Sequence, residues 1–355
     1  MEKIQFLKGN EAIAEAAIRA GVDAYFGYPI TPQTEIMEYM IDQNDSRGCG
    51  VEILQAESEV AAINMVYGAA SAGRRVMTST SSPGLSLMME GISYIAGAEL
   101  PCVIVNVARG GPGLGTIQPA QSDYFQVVKG GGHGDYKMLV MAPASVQEMA
   151  DFVAPAFDIA FKYRNPVMIL SDGVIGQMME RVVLPDPTER ITTYPDWATT
   201  GKKPGQIRHH ITSLNLEPLK QEAHNLHLQS KYRRMQEVEV RFEMMQCEDA
   251  DYVLVAYGAS ARIAHKTVQL LRQRGVKAGI FRPITLFPFP SEPIFQLASK
   301  VKGFLAVEMS CGQMVEDVQL AVKGRARVEH YGRMGGLVHA PEDILHGFES
   351  LFLNA

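Results

Sequence analysis

Glu59, Thr31 and Arg109 are the residues of this 355-residue chain whose types and settings point to chemistry. Gly27-Tyr28-Pro29-Ile30-Thr31-Pro32 reads as a strand running into a proline-bracketed turn. Glu59 follows 27 positions after Pro32, within Gln55-Ala56-Glu57-Ser58-Glu59. A hydroxyl at a turn and an acid at a helix start are the polar groups that an α/β domain offers at the carboxyl ends of its strands, where ligands bind. Stabilisation by the helix dipole, about 0.3–1 kcal/mol, is by itself enough to account for an acid there. The next residues, Val60-Ala61-Ala62-Ile63, are apolar, so the carboxylate enters poorly solvated surroundings. An acid that keeps or shares a proton can donate to a ring nitrogen. Thr31 either bonds its own turn backbone or aims its hydroxyl at a ligand carboxylate or carbonyl. Arg109 follows the apolar run Cys102–Val107 and precedes Gly110-Gly111-Pro112-Gly113-Leu114-Gly115. Arginine at a strand's carboxyl end suits two-pronged carboxylate recognition; a surface arginine opening a flexible loop is the plainer reading.

The glycine-rich loops lack nucleotide signatures. Gly113-x-Gly115 has Gln118 where a third glycine would stand, and no Gly-Lys-Ser/Thr follows. Neither a dinucleotide fingerprint nor a phosphate loop is present. Gly130-Gly131-Gly132-His133-Gly134-Asp135 also lacks Lys-Ser, so both loops read as cleft walls or partner contacts. His133 is a catalytic candidate only in the weak sense that any loop histidine is.

The elements that must position these groups follow from the hydrophobic pattern. Asn10 reads as the cap of a helix over 11–20, entered straight from the amino terminus. Strands are expected at 24–27, 51–54, 76–80, 102–107, 139–141 and 167–170, with helices at 34–43, 59–72, 82–98 and 145–161. Apolar strands alternating with helices imply a parallel sheet covered on both faces. Residues 185–235 change character: five prolines punctuate a polar stretch that holds the single Trp197. The α/β pattern resumes with strands at 252–256, 278–281 and 304–307 and a helix at 261–274. This predicts an α/β protein of two domains, 1–185 and 236–355, joined by an extended crossover over 186–235.

Composition excludes several function classes. A net charge of −6 without a long basic run argues against a nucleic-acid surface. Apolar runs break before membrane-spanning length, and no signal peptide is visible, so a cytoplasmic protein is expected. Cys49, Cys102, Cys247 and Cys311 have no Cys-x-x-Cys spacing, so this chain is expected to bind neither a structural metal nor an iron–sulfur cluster alone.

At Tyr28-Pro29-Ile30-Thr31-Pro32, Ser58-Glu59, Ser82-Pro83-Gly84-Leu85 and Val107-Ala108-Arg109 the chain resembles the α subunit of 2-oxoacid:ferredoxin oxidoreductases. The resemblance runs over essentially the whole length. Gly110–Gly115 and Ser122-Asp123-Tyr124-Phe125-Gln126 look most like the branched-chain, 2-oxoisovalerate type, with the 2-oxoglutarate type next. It implies that 1–185 is a pyrimidine-binding domain for thiamine diphosphate and that 236–355 is similar to a transketolase carboxyl-terminal domain. Glu59 would then contact the cofactor's aminopyrimidine N1′, with Tyr28, Pro29 and Ile30 beside the cofactor. Thr31 and Arg109 would hold the 2-oxoacid carboxylate. The implied reaction is coenzyme-A-dependent oxidative decarboxylation to acyl-CoA, carbon dioxide and reduced ferredoxin.

Ser171-Asp172-Gly173 lacks the family's diphosphate-and-magnesium continuation. A β subunit is therefore expected to bring the diphosphate site and Mg2+, and a ferredoxin-like or γ subunit the iron–sulfur clusters. A 2-oxoglutarate enzyme needs a cation for the distal carboxylate, and Lys129, His133, Arg74 and Arg75 are available in sequence. A non-catalytic assembly subunit that keeps the fold is the alternative of another class.

Overall fold

A computed structural model describes residues 3–353, apart from 191, 203 and 206. Seven strands form the main sheet, in the spatial order Thr285–Phe287, Leu139–Met141, Pro166–Asp172, Cys102–Ala108, Val76–Thr80, Ala24–Gly27, Glu52–Gln55. All pair in parallel except Thr285–Phe287, which is antiparallel to Leu139–Met141. Cys102–Ala108 and Pro166–Asp172 are buried along their whole length, as largely apolar central strands of a two-faced sheet must be. From Ala24–Gly27 the chain steps outward to the edge strand Glu52–Gln55. It then returns on the other side as Val76–Thr80 and goes on to Cys102–Ala108. The crevice between the carboxyl ends of Ala24–Gly27 and Val76–Thr80 is thus a topological switch point, the place where open α/β sheets bind ligands.

A second sheet runs Arg327–Gly332, Gly303–Glu308, Tyr252–Ala256, Ala278–Pro283, Phe242–Met245. Only Phe242–Met245 is antiparallel. Its half-exposed edge strands Phe242–Met245 and Arg327–Gly332 lack a run of buried apolar residues and escape the sequence reading. So does Thr285–Phe287, three residues long, which leaves the carboxyl-terminal segment to join the first sheet.

Several expectations are corrected. A strand, Ile4–Lys8, precedes the first helix and pairs antiparallel with Met179–Val183. That helix is Gly9–Arg19, so Asn10 lies inside it. Asn10 is buried and donates to the Pro32 carbonyl (2.6 Å) and Glu35 (3.0 Å) instead of capping. The helix expected at 145–161 is two, Val146–Asp151 and Val153–Tyr163. Pro155 has no N–H for the Asp151 carbonyl, which weakens the ladder there. Within 186–235, the extended crossover gives way to a 21-residue helix, Pro218–Val238. Only Leu228, Tyr232 and Met235 of that helix are buried, so its apolar stripe is too narrow to stand out from a polar sequence.

Two helices frame the switch point. Glu59–Ser71 opens on Ser58, whose hydroxyl accepts from the Ala61 amide; this is N-capping by serine. Ser82–Gly97 opens with Pro83 in its first turn, where the missing N–H costs nothing. The two pack closely because Gly91 has no side chain: a Cβ there would lie 2.5 Å from Ile63 Cγ2.

Candidate active site

Glu59 is 5% exposed, and its carboxylate has no hydrogen-bond partner among the described residues. It lies against the first turn of the neighbouring helix. A Cβ on Gly84 would come 2.4 Å from Glu59 Oε1 and 2.2 Å from Thr80 Oγ1. Gly84 therefore holds no side chain because the carboxylate and hydroxyl fill that space. Thr80 Oγ1 and Ser81 Oγ at the end of Val76–Thr80, Asn106 Oδ1 near the end of Cys102–Ala108, and Ser171 Oγ near the end of Pro166–Asp172 are also buried without partners. Buried polar atoms are normally satisfied, and a cluster of exceptions calls for a reason. These four lie at the carboxyl ends of three adjacent strands.

The turn that carries Thr31 is braced from beneath by Gln33, which is fully buried. Gln33 donates to the Tyr28 carbonyl (3.1 Å), its amide reaches the Ile30 carbonyl (3.0 Å), and its side-chain oxygen accepts from Ser79 (2.5 Å). Tyr28, Pro29 and Ile30 are half-buried along this turn and Thr31 is exposed. Arg109 is 7% exposed and donates to the Thr31 carbonyl (2.9 Å) and the Leu114 carbonyl (3.3 Å). The structure thus brings Thr31 and Arg109 together, through the Thr31 backbone. Two of the five guanidinium donors are engaged in these bonds, and Nε is buried without a partner.

Beneath Arg109 lies a network that sequence reasoning did not single out. Ser82 Oγ accepts from the Arg109 amide (3.0 Å) and donates to Asp123 Oδ2 (2.7 Å), to which Asn106 also donates (2.8 Å). Burial pushes the Asp123 carboxyl up, against the pull of Ser82, Asn106 and Arg109. The signal for them in the sequence is that Ser82 lies in Ser82-Pro83-Gly84-Leu85 and Asp123 in Ser122-Asp123-Tyr124-Phe125-Gln126, both runs that carry the family resemblance. Ser82, Asp123, Gly110, Met309, Cys311 and Met334 are among the residues lining a cavity of about 450 Å³ beside Arg109. A larger cleft of about 820 Å³ has Tyr194, Pro195, Ala198, Thr199 and His209 among its lining residues. Its wall is hydrogen-bonded to Ser71 and packs on Gly73, near the amino end of Val76–Thr80 and away from these groups.

None of the four cations considered for a distal carboxylate lines the cavity beside Arg109. Arg74 and Arg75 directly precede Val76–Thr80, so they sit at the amino end of a strand whose carboxyl end holds Thr80. Five residues of strand separate the two ends by roughly 16 Å. Arg75 is tied to the Ala20 carbonyl and paired with Asp158. Lys129 is paired with Asp317. His133 meets Tyr94 edge-on, and its carbonyl accepts from Ser93. Ser93 is nine residues along the helix from Gly84, roughly 14 Å.

Against known proteins, the family described as pyruvate flavodoxin/ferredoxin oxidoreductase, thiamine diphosphate-binding, matches residues 15–247. The pyruvate:ferredoxin oxidoreductase core domain II matches residues 250–344. The ketoisovalerate oxidoreductase subunit VorB of Methanothermobacter thermautotrophicus is 51% identical over 96% of both chains. The chain belongs to the 2-oxoacid:ferredoxin oxidoreductase family. The 2-oxoglutarate synthase subunit KorA of Methanocaldococcus jannaschii is 35% identical over 96% of this chain and 98% of its own. A solved 2-oxoglutarate:ferredoxin oxidoreductase from Magnetococcus marinus, with 2-oxoglutarate, coenzyme A and succinyl-CoA bound, superposes with a TM-score of 0.84 at 27% identity. The match covers 98% of this chain and 65% of that one. A split-gene transketolase shares the fold alone, at TM-score 0.61 and 14% identity.

In this oxidoreductase chain Asp172 has structural duties. It caps the helix Gly173–Gln177 by accepting from Val174 (2.9 Å) and Ile175 (3.2 Å), and it accepts from the Ala259 amide across the interface (3.3 Å). Burial pushes its carboxyl up to about 6, above about 3.9 in an unfolded chain. The folded state therefore keeps a proton that the unfolded state loses. Asp172's contribution is full below about pH 4 and is lost as pH rises to about 6. His339 acts with opposite sign. Burial lowers it to about 4, so folding gains stability as pH rises from about 4 to 6.5. Asp172→Asn keeps the cap through its remaining oxygen, loses the acceptor for the Ala259 amide at a cost that does not vary with pH, and removes the first pH effect. The stability of the variant relative to wild type should grow by about 2 kcal/mol between pH 4 and 6.5. Urea unfolding at the two pH values measures this, and a constant difference would contradict it.

Proposed function

We propose that this chain is the half of a coenzyme-A-dependent 2-oxoisovalerate:ferredoxin oxidoreductase that holds the cofactor's pyrimidine and the substrate carboxylate. It works in the cytoplasm with partner subunits. In the reaction, one 2-oxoacid, one coenzyme A and two oxidised ferredoxins give acyl-CoA, carbon dioxide, one proton and two reduced ferredoxins. Bound thiamine diphosphate supplies the nucleophilic carbon and the electron sink. The observation that carries this reading is the buried Glu59 carboxylate, unpartnered among the described residues and given its space by Gly84. Such a group fits a flat ring nitrogen that exchanges one proton with it, and Thr80 and Ser81 supply neighbouring unpartnered hydroxyls. Glu59 holds that proton at Oε1. Arg109 presents its free donors to the substrate carboxylate beside the exposed Thr31.

Asp172 is occupied as a helix cap and interface acceptor. The diphosphate and Mg2+ are assigned to a β subunit, and the iron–sulfur clusters to a ferredoxin-like or γ chain. We assign the boundaries 1–185, 186–235 and 236–355 as working domains within this half.

A branched apolar substrate is favoured over 2-oxoglutarate because the cavity beside Arg109 carries no lysine or arginine; Asp123 is its one charged lining residue. A buried carboxylate near a second carboxylate repels it. The similarity to the 2-oxoglutarate enzymes keeps that substrate as the second reading.

The complex purified anaerobically through this chain should reduce a viologen dye in a coenzyme-A-dependent way, faster with 2-oxoisovalerate than with 2-oxoglutarate. The reverse order would overturn the substrate assignment. No reduction with either, or with pyruvate, in a complex containing thiamine diphosphate and clusters would favour an assembly subunit. Arg109→Ala should raise the KM for the 2-oxoacid about 10- to 100-fold, the worth of one or two charge-assisted hydrogen bonds. The KM for coenzyme A should change far less, and equal effects would remove Arg109 from the carboxylate site.

A further inference from the structure

Arg109 stands at the base of a hairpin. It bridges Pro119, the Gly110 amide donates to the Gln118 carbonyl (2.9 Å), and the Thr116 amide donates to the Gly110 carbonyl (2.8 Å). Two residues beyond Pro119 the chain reaches Gln121, which is 2% exposed. Gln121 makes five hydrogen bonds, all to the carboxyl-terminal unit. Its side-chain nitrogen donates to the Tyr257 carbonyl (2.9 Å), and its side-chain oxygen accepts from Ser260 (2.7 Å) and the Met309 amide (3.0 Å). Its backbone donates to the Met309 carbonyl (2.9 Å) and accepts from the Tyr257 hydroxyl (3.2 Å). An amide supplies both the donor and the acceptor that this setting demands; a carboxylate or an alkyl chain supplies only part or none. The hairpin is gripped on a second side as well. A Cβ on Gly336 would lie 2.5 Å from Gln118 Cβ, and one on Gly110 would lie 2.9 Å from the Gly336 amide. Gly336 has φ +95°, a left-handed backbone that glycine adopts without strain.

We propose that Gln121 is a positioning residue. The carboxyl-terminal unit acts through it, with the Gly335–Gly336 turn as backstop, to fix the hairpin that aims Arg109 at the 2-oxoacid carboxylate. The second unit thereby tunes substrate affinity through the placement of Arg109. This rests on the reading of Arg109 given above.

The test uses the complete complex and two variants. Gln121→Met keeps volume and removes the three side-chain bonds. Gly336→Val pushes the hairpin from the opposite side at a partly exposed position, and it decides the matter if Gln121→Met fails to assemble. Both should raise the 2-oxoacid KM about tenfold, as a misplacement of several tenths of an ångström does. The KM for coenzyme A should stay within about twofold. Both should also speed hydrogen exchange at the Gly110 and Thr116 amides. That readout stands apart from activity: a wild-type complex inactive with every 2-oxoacid would sink the proposed function, while exchange alone would still judge the positioning role. Unchanged 2-oxoacid KM, equal rises for both substrates, or unchanged exchange at those amides in an assembled variant would overturn the proposal.

Discussion

Glu59→Gln should abolish turnover while leaving the complex assembled and as stable as wild type. The substitution keeps shape and volume and removes the ability to exchange a proton at Oε1. A general acid or base contributes about 10²–10⁴ in rate, and a group that works on the cofactor itself should lie at the upper end. Stability should be unharmed, because the carboxylate has no hydrogen-bond partner to lose among the described residues and is 5% exposed. A neutral amide is also easier to bury than a charge. The check is steady-state dye reduction beside thermal unfolding and gel filtration of the variant complex. Full activity would remove Glu59 from the chemistry. Lost activity together with lost assembly would recast it as an interface residue.

Gly84→Ala should lower kcat about 100-fold with little change in assembly, although the residue carries no functional group. The added methyl must share space with Glu59 Oε1 at 2.4 Å and Thr80 Oγ1 at 2.2 Å, both far inside contact distance. The backbone of Ser82–Gly97 is pinned at its start by the Ser82 bonds to Arg109 and Asp123 and later by Gly91 against Ile63. The side chains of Glu59 and Thr80 are therefore the parts that yield. A displacement near 1 Å at a reacting group costs about two orders of magnitude. The mirror control is Gly97→Ala at the other end of the same helix. A Cβ there comes no closer than 3.2 Å, to Ser213 Cβ, so that variant should retain near-wild-type kcat. Equal losses in both would point to general helix damage and refute the specific placement.

Much of the first sheet was legible because its strands are short apolar runs with a burial period that needs no distant information. Cys102–Ala108 and Pro166–Asp172 are examples. The helix starts at Ser58–Glu59 and Ser82–Pro83 are equally local, resting on a cap and a proline. Elements whose burial depends on a distant partner were missed. Thr285–Phe287 is a strand only because Leu139–Met141 lies open beside it. Pro218–Val238 is held by a stripe of three residues. Asn10 looked like a cap until the Pro32 carbonyl and Glu35 supplied another use for its amide.

By itself the sequence determined that this is an α/β protein with an acid at a helix start, a hydroxyl at a proline-bracketed turn and an arginine at a strand end. Those are statements about neighbours along the chain, where sterics and hydrogen-bond geometry act over a few residues. Tertiary structure alone decided which of them meet. It set Gly84 against Glu59, tied Arg109 to the Thr31 carbonyl 78 positions away, and linked Gln121 to Met309 across 188. It also put Arg74 and Arg75 at the amino end of the sheet, out of reach of the site. Hydrophobic periodicity assigns a residue to a face, but the strand order assigns it to an end and a neighbour. That order depends on contacts whose cost and reward are settled only when the whole chain has folded.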